Sequence, residues 1–189
     1  MTNVELATTT MRTTRLVLRP LRASDAEPLF ALFADWEVIR WLSMPPWPYA
    51  LEDAREFIRA RSNRDLTKTT FAITLADALI GAIGVRMNRA NHSQSGPGPH
   101  LGYWLGRPYW GHGYVTEAAR SFIAHVFGSG LSDIIYSGAF ADNQASLRVQ
   151  QKLGFERVGE TMLDARPRGE KFPHINTVLT RARFEELRG

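Results

Sequence analysis

Residues 107–118 of this chain read RPYWGHGYVTEA, and few backbones accommodate them. Gly111 and Gly113 bracket a turn that has no Cβ atoms to shield its main chain. Directly after it, Val115, Ala118, Ala119, Phe122 and Val126 recur at helical spacing. The preceding LGYWLG, residues 101–106, is aromatic and aliphatic in the manner of a strand. The unit is therefore strand, glycine turn, helix. N–H groups in the first turn of a helix lack intrahelical partners, and a turn without side chains lets an anion approach them. The segment is built to hold phosphate.

Elimination narrows the ligand. A nucleotide-hydrolase loop needs four residues between its glycines and then Lys followed by Ser or Thr, which this turn lacks. A dinucleotide fingerprint needs a third glycine where Thr116 stands, and Asp133 matches its acidic position only by spacing.

The segment resembles the pyrophosphate loop of the GCN5-related N-acetyltransferases, Q/R-x-x-G-x-G/A. Trp110 stands in the Q/R place, Gly113 matches the central glycine, and Val115 stands where Gly or Ala is usual. Those departures, with Y-W-G-x-G-Y followed by T-E-A, resemble the ribosomal-protein N-terminal (alanine) acetyltransferase branch, the RimJ/RimL-like group. RLVLRPL (residues 15–21) is similar to the family's first strand, LGYWLG to its fourth, and NQASLRVQQKLGF (residues 143–155) to its N-x-x-S helix ending in K-x-G-F. The resemblance implies an α/β (α+β) fold. Its mixed central sheet has about seven strands with a splayed middle pair, flanked by about four helices. It also implies acetyl-CoA as co-substrate.

Composition sets limits. At 189 residues and 44% hydrophobic, the chain suits a single domain over residues 13–187 behind a flexible tail over 1–12. No run of 18 apolar residues occurs, and the first dozen residues lack an apolar signal segment, so a soluble, cytoplasmic protein without a membrane partner is expected. The absence of cysteine excludes disulfides, thiolate metal sites and a Cys acyl-enzyme, so acyl transfer should run directly from donor to acceptor. No metal is expected. The net charge of +4 and pI of about 9.8 invite a nucleic-acid partner. Counting along the chain argues against one: residues 1–64 carry nine basic and eight acidic side chains, 65–155 seven and five, and 156–189 seven and six.

The chain alternates elements. After the first strand, Ser24-Asp25-Ala26-Glu27 is an S-x-x-E capping box opening a helix to about residue 33. A second helix is expected over 52–64, a hairpin over 69–75 and 79–87 turning at Asp77-Ala78, and a polar loop over 91–99. A helix over 115–127 ends near Gly128 and Gly130, and a strand follows at 134–140. Asn143 caps a helix to Lys152, and strands at 155–160 and 175–180 close the chain.

The resemblance assigns chemistry residue by residue. The strand Tyr103, Trp104, Leu105 lends backbone N–H groups to pantetheine and the thioester carbonyl, while the Trp104 side chain also reads as core. Trp110, Gly111, His112, Gly113, Tyr114 and Val115 form the pyrophosphate loop, where a protonated His112 would add positive charge. Asn143 reads as a helix cap and as a pantetheine contact, and Ser146 as a first-turn residue and as proton donor to the coenzyme A thiolate. Arg148 and Lys152, one turn apart, read as exposed helix charges or as partners of the adenosine phosphates. His100 stands where many relatives carry a Glu that takes the amine proton. An imidazole with a pKa of about 6.5 suits that role, and so does the simpler reading of a strand-end histidine. Without that Glu, an α-amine of pKa about 7.7–8.0 is easier to use than lysine at about 10.4.

On the acceptor side Trp36, Trp41, Trp47 and Tyr49 supply an aromatic wall or core packing. Residues 162–174 read as a loop whose Arg166, Arg168 and Lys171 meet acidic acceptor groups or water. Asn176 and Thr180 replace an Asp and a Tyr common in relatives. The expected activity is acetyl transfer to a primary amine, foremost a protein or peptide N-terminus, by a monomer or homodimer. A small-molecule amine acceptor and an acyl-CoA-binding module without turnover are the alternatives.

Overall fold

The computed structural model describes residues 9–61, 68–88 and 96–188. Residues 1–8 of the expected tail, 62–64 of the expected second helix and 91–95 of the expected polar loop lie outside the described residues. The strands are β1 (Met11–Arg12), β2 (Leu16–Pro20), β3 (Lys68–Leu75), β4 (Ala78–Asn88), β5 (Gly98–Leu105), β6 (Ile134–Phe140), β7 (Glu156–Ala165) and β8 (Glu170–Thr180). The helices are α1 (Ala26–Phe33), α2 (Trp36–Ile39), α3 (Leu51–Arg61), α4 (Tyr114–Gly128), α5 (Gln144–Leu153) and α6 (Arg181–Glu186).

One mixed sheet runs in the order β1-β2-β3-β4-β5-β6-β8-β7. The class is the expected one, with an additional strand and two additional helices among the described residues. These are the shortest elements: β1 has two residues, α2 a single turn and α6 six residues, too few for periodicity to reveal them. Because β1 pairs with β2, residues 11 and 12 belong to the sheet rather than to a tail.

Three local corrections have physical causes. The β3–β4 hairpin turns at Ala76-Asp77, one residue earlier than expected; both have positive φ (46° and 65°), the backbone that matches strand twist in a two-residue turn. The Ser24/Glu27 capping box is absent because Asp25 outcompetes it. Its buried carboxylate accepts from the Arg22 N–H at 2.7 Å and from the Arg19 guanidinium at 2.7 and 2.8 Å, and the chain enters α1 through a 3-10 turn. Residues 162–174 are not a loop. β7 and β8 form a long hairpin closed by the 3-10 turn Arg166–Arg168, whose charged and proline-bearing sequence masks the strand pattern.

Strand alternation sorts side chains to the sheet's two faces. On one, Phe71, Ile73, Leu101 and Leu105 meet Ala118, Ala119, Phe122 and Val126 of α4. On the other, Ala72 and Leu79 meet Leu29, Phe33, Val38, Ala54 and Ile58 of α1, α2 and α3. Between β5 and β6 the sheet opens. They are the parallel pair, joined at one register position, His100 opposite Tyr136. One step further the Ser137 hydroxyl donates to the Leu101 carbonyl at 3.1 Å. Beyond that point the strands part, which is the expected splay.

Candidate active site

The glycine turn forms one end of the opening. Gly111 and Gly113 have φ of 80° and 77°, the left-handed region that L side chains avoid. Gly113 is the N-cap of the 15-residue α4, and a Cβ there would meet only the Arg15 Nη2, at 3.7 Å. The backbone N–H groups of this turn are thus reachable from the groove that Gly111, Gly113, Tyr114 and Val115 line. Trp110 fixes the loop by donating its indole N–H to the Leu105 carbonyl at 2.8 Å, closing the last strand acceptor before the turn. His112 is outside the groove lining: it is exposed and stacks on Tyr114 at 5.5 Å.

A carboxylate in the first turn of α4 would oppose a bound phosphate, yet Glu117 is there. It is neutralised in place. Glu117 accepts from Thr13 Oγ1 (2.6 Å), the Arg15 N–H (2.8 Å) and Arg15 Nε (2.7 Å), while the Arg15 guanidinium lies 4.5 Å above the Tyr114 ring. Burial pushes the Glu117 carboxyl up, but the hydrogen bonds from Thr13 and Arg15 outweigh it and hold it below the ordinary carboxylate range.

The groove continues through the splay as a cavity of about 1430 Å³. That exceeds the roughly 300–1,000 Å³ of drug-sized pockets and leaves room for a long ligand and its acceptor. On the α5 side, Asn143 Oδ1 accepts from the Ser146 N–H at 3.1 Å, so the cap sets the helix start. The Ser146 hydroxyl meets the Tyr103 hydroxyl at 2.9 Å. Behind them, Thr177 Oγ1 donates to Gln150 Oε1 (2.7 Å), which turns the amide so that Nε2 donates to Ser146 Oγ (3.4 Å). Burial pushes the Tyr103 phenol up, keeping it protonated at neutral pH. This chain of hydroxyls and amide was only partly legible: Ser146 and Tyr103 belong to motifs, with only the Tyr103 backbone given a role there, whereas Gln150 and Thr177 carry no spacing signal. Arg148 and Lys152 are exposed on α5 and line the same groove.

Leu101, Tyr103 and Leu105 of β5 face α4 and α5, so His100 and Trp104 face the opposite layer. Trp104 packs edge-on against Phe33 at 4.7 Å. His100 stacks on Tyr136 at 5.2 Å, and its Nε2 donates to the Gly96 carbonyl at 3.1 Å. Burial, and to a lesser extent Arg86 and His174, lower its pKa below the ordinary imidazole value despite the Gly96 bond. His174, masked in sequence by its loop-like surroundings, lines the groove too. Its Nδ1 meets Asn176 Oδ1 at 2.9 Å, and burial lowers its pKa.

The aromatic wall is half of what was expected. Trp41 and Tyr49 line the groove, with Tyr49 packed on Phe33 at 4.8 Å and its phenol pushed far up by burial. Trp36 and Trp47 do not. They pair with each other at 5.2 Å on the outer side of α2, 36% and 42% exposed, because the proline-rich turn folds them together away from the sheet. Arg168 is likewise no acceptor contact. It is almost fully buried, donates to the Arg40 carbonyl (2.7 Å) and to Asp142 (2.8 Å), and lies over the rings of Trp41, Phe140 and Phe172. Lys171 is exposed, and Arg166 lines the groove. Among the described residues, no group of three or more His, Asp or Glu is arranged to hold a metal, and no helix is long and apolar enough to cross a membrane.

Known proteins resemble this chain in sequence and in fold. YoaA of Bacillus subtilis strain 168, an uncharacterised N-acetyltransferase, is 31% identical over 156 residues, covering 79% of this chain and 84% of that protein. RimL, a ribosomal L7/L12 alpha-N-protein acetyltransferase, superposes with a TM-score of 0.75 at 18% identity over 91% of this chain and 94% of its own. RimJ of Mycobacterium smegmatis, solved with CoA-disulfide, gives 0.75 at 20% identity over 92% and 87%. The acetyltransferase (GNAT) domain model matches residues 15–156, from the first long strand through the glycine turn to the end of the α5 motif. By that match the chain belongs to the GNAT acetyltransferases.

Proposed function

We propose that this protein transfers an acetyl group from acetyl-CoA to the α-amine of a protein or peptide N-terminus. The observation that carries the reading is the groove itself. It joins an anion-accepting glycine turn to a pair of hydroxyls on one face of β5 and a pair of imidazoles on the other layer. The open turn fits a pyrophosphate, since both glycines leave the space a Cβ would occupy. The N-terminal acceptor draws support from the YWGHGY departure in sequence, from the α-amine's accessible pKa, and from the fold shared with RimL.

In the reaction the neutral amine attacks the thioester carbonyl. The C–N bond forms, the C–S bond breaks, and the thiolate takes a proton from Ser146 Oγ, which Tyr103 resupplies across their 2.9 Å contact, the phenol regaining its proton from solvent as coenzyme A leaves. The amine's proton leaves on the layer that carries the imidazoles. The test is a panel of amines with acetyl-CoA, read by free-thiol release and intact mass: N-terminal peptides, polyamines and aminoglycosides. Acetylated peptides are expected. Turnover of small amines alone would refute the peptide acceptor, and tight acetyl-CoA binding without thiol release toward any amine would refute catalysis.

A further inference from the structure

We propose that His174 is the catalytic base that touches the acceptor amine, with Asn176 and Thr161 as its positioning residues; the proposal rests on the acetyltransferase reading above. Location favours His174 over His100. His100 lies opposite Tyr136, where β5 and β6 are still joined, at the closed end of the wedge. His174 lies opposite Phe140, the last residue of β6, at the end where the strands have separated.

The fold makes room for this ring. A Cβ on Gly138 would fall 2.3 Å from His174 Cε1 and 3.1 Å from its Nδ1. Gly138 has an ordinary strand backbone rather than a positive φ, so its missing side chain serves space, not conformation. Phe140 closes the other side edge-on at 5.7 Å.

The protonation state is also set. Asn176, 2% exposed, is anchored by its Nδ2 donating to Thr161 Oγ1 at 3.2 Å, which turns Oδ1 toward His174 Nδ1. A carbonyl oxygen only accepts, so the proton sits on Nδ1 and Nε2 keeps its lone pair. Burial keeps the ring neutral at neutral pH, ready to take a proton. The charged groups lining the groove with His174 are Arg86 on β4, His100 on β5, Asp142 after β6 and Arg166 after β7. Glu37, Asp53, Glu56 and Arg61 stand on the helical side, and Arg148 and Lys152 on α5. A charged His174 disfavours protonation of His100. The amine's proton passes to His174 Nε2 as the C–N bond forms, and the imidazolium then releases it to solvent.

The experiment uses acetyl-CoA and a short peptide with a free N-terminal alanine, with thiol release followed over ~pH 5–9, where imidazole titrates. His174→Gln should lower kcat/KM by about 10²-fold and erase the acid-side inflection, since general base help is of that size. His100→Gln should lower it by less than about tenfold and keep the inflection. Asn176→Asp puts a carboxylate against the imidazolium and should move the inflection to higher pH, a shift no merely structural role produces. An unchanged acetyl-CoA melting shift certifies each variant as folded. His174→Gln at wild-type kcat/KM, or Asn176→Asp with an unmoved inflection, overturns the proposal. If the wild type binds acetyl-CoA but acetylates no amine, the acceptor reading fails separately. Nitrogen-resolved NMR of the imidazoles then decides, because a His174 proton on Nε2 overturns the base assignment.

Discussion

Replacing Gly113 by glutamate should abolish the stabilisation that acetyl-CoA confers. Three quantities set the size of the effect. A ligand at one hundred times its Kd stabilises the native state by about 2.7 kcal/mol. In a chain of this length each kcal/mol is about 2–4 °C of Tm, so the wild-type shift should be about 5–11 °C. At φ = +77° any L side chain adds a backbone strain of about 1–2 kcal/mol, which lowers the ligand-free Tm but does not unfold the protein. Sterically the site is open toward the fold, with Arg15 Nη2 at 3.7 Å as the nearest atom, so the new side chain extends into the space left for the pyrophosphate. Its carboxylate repels that anion and competes with Glu117 for Arg15. Gly130→Glu is the matched control: φ is +74°, no atom lies within 4 Å, and the site is at the far end of α4. Differential scanning fluorimetry with and without acetyl-CoA reads both. The expected result is a lowered ligand-free Tm in both variants and a shift lost in Gly113→Glu alone. An undiminished shift in Gly113→Glu would refute the assignment of the turn.

Ser146→Ala should lower kcat by about 10²-fold while acetyl-CoA binding is nearly kept, measured by thiol release and calorimetry; unchanged kcat returns Ser146 to a helix-start role. Arg168→Met removes the hydrogen bond to the Arg40 carbonyl and the cation contacts with three rings, and should cost about 1–3 kcal/mol in thermal unfolding. Acid should destabilise the fold through both half-buried imidazoles. Their folded pKa values lie below 6.5, so as pH falls below about 6.5 the unfolded chain binds protons that the fold refuses, and stability drops. The double variant His100→Gln/His174→Gln should flatten Tm against pH in that window, and an unchanged slope would show that neither ring is held neutral.

The legible part of this molecule was the part written in short-range chemistry. Asn143 capping α5, the strand at 134–140 and the glycine turn before α4 all follow from residues within a few positions of one another. What escaped depends on which of several partners a side chain chooses, near in sequence or far. Asp25 reached Arg19 and Arg22 and displaced the Ser24 cap. Arg168, with three aromatic rings around it, reads in one dimension as a solvated loop charge. His174 was hidden because Pro173 and the charges of residues 166–171 make a strand look like a loop, and neither Gly138 nor Thr161 is near it in sequence. The Trp36–Trp47 pair failed for the opposite reason: local aromatic density cannot say which ring turns inward.

Strand β5 explains why the two proton transfers need not interfere. Side chains alternate across a strand, so Tyr103 faces α5 and the Ser146 hydroxyl while His100, three positions earlier, faces the layer that carries His174 and Asn176. A thioester held along the open edge of β5 would meet the hydroxyls from one face and the imidazoles from the other. The acid can then remain protonated because desolvation raises the Tyr103 phenol, and the base unprotonated because desolvation lowers the His174 imidazole. Burial acts in opposite chemical senses on a phenol and an imidazole, since it disfavours the charged form of each. The same desolvation thus prepares a proton donor on one side of the sheet and a proton acceptor on the other. One consequence is specific: Leu105→Ser, which wets the Tyr103 face of β5, should narrow the pH range of activity from its alkaline side alone, because it lowers the phenol's pKa and leaves the imidazoles of the other layer untouched.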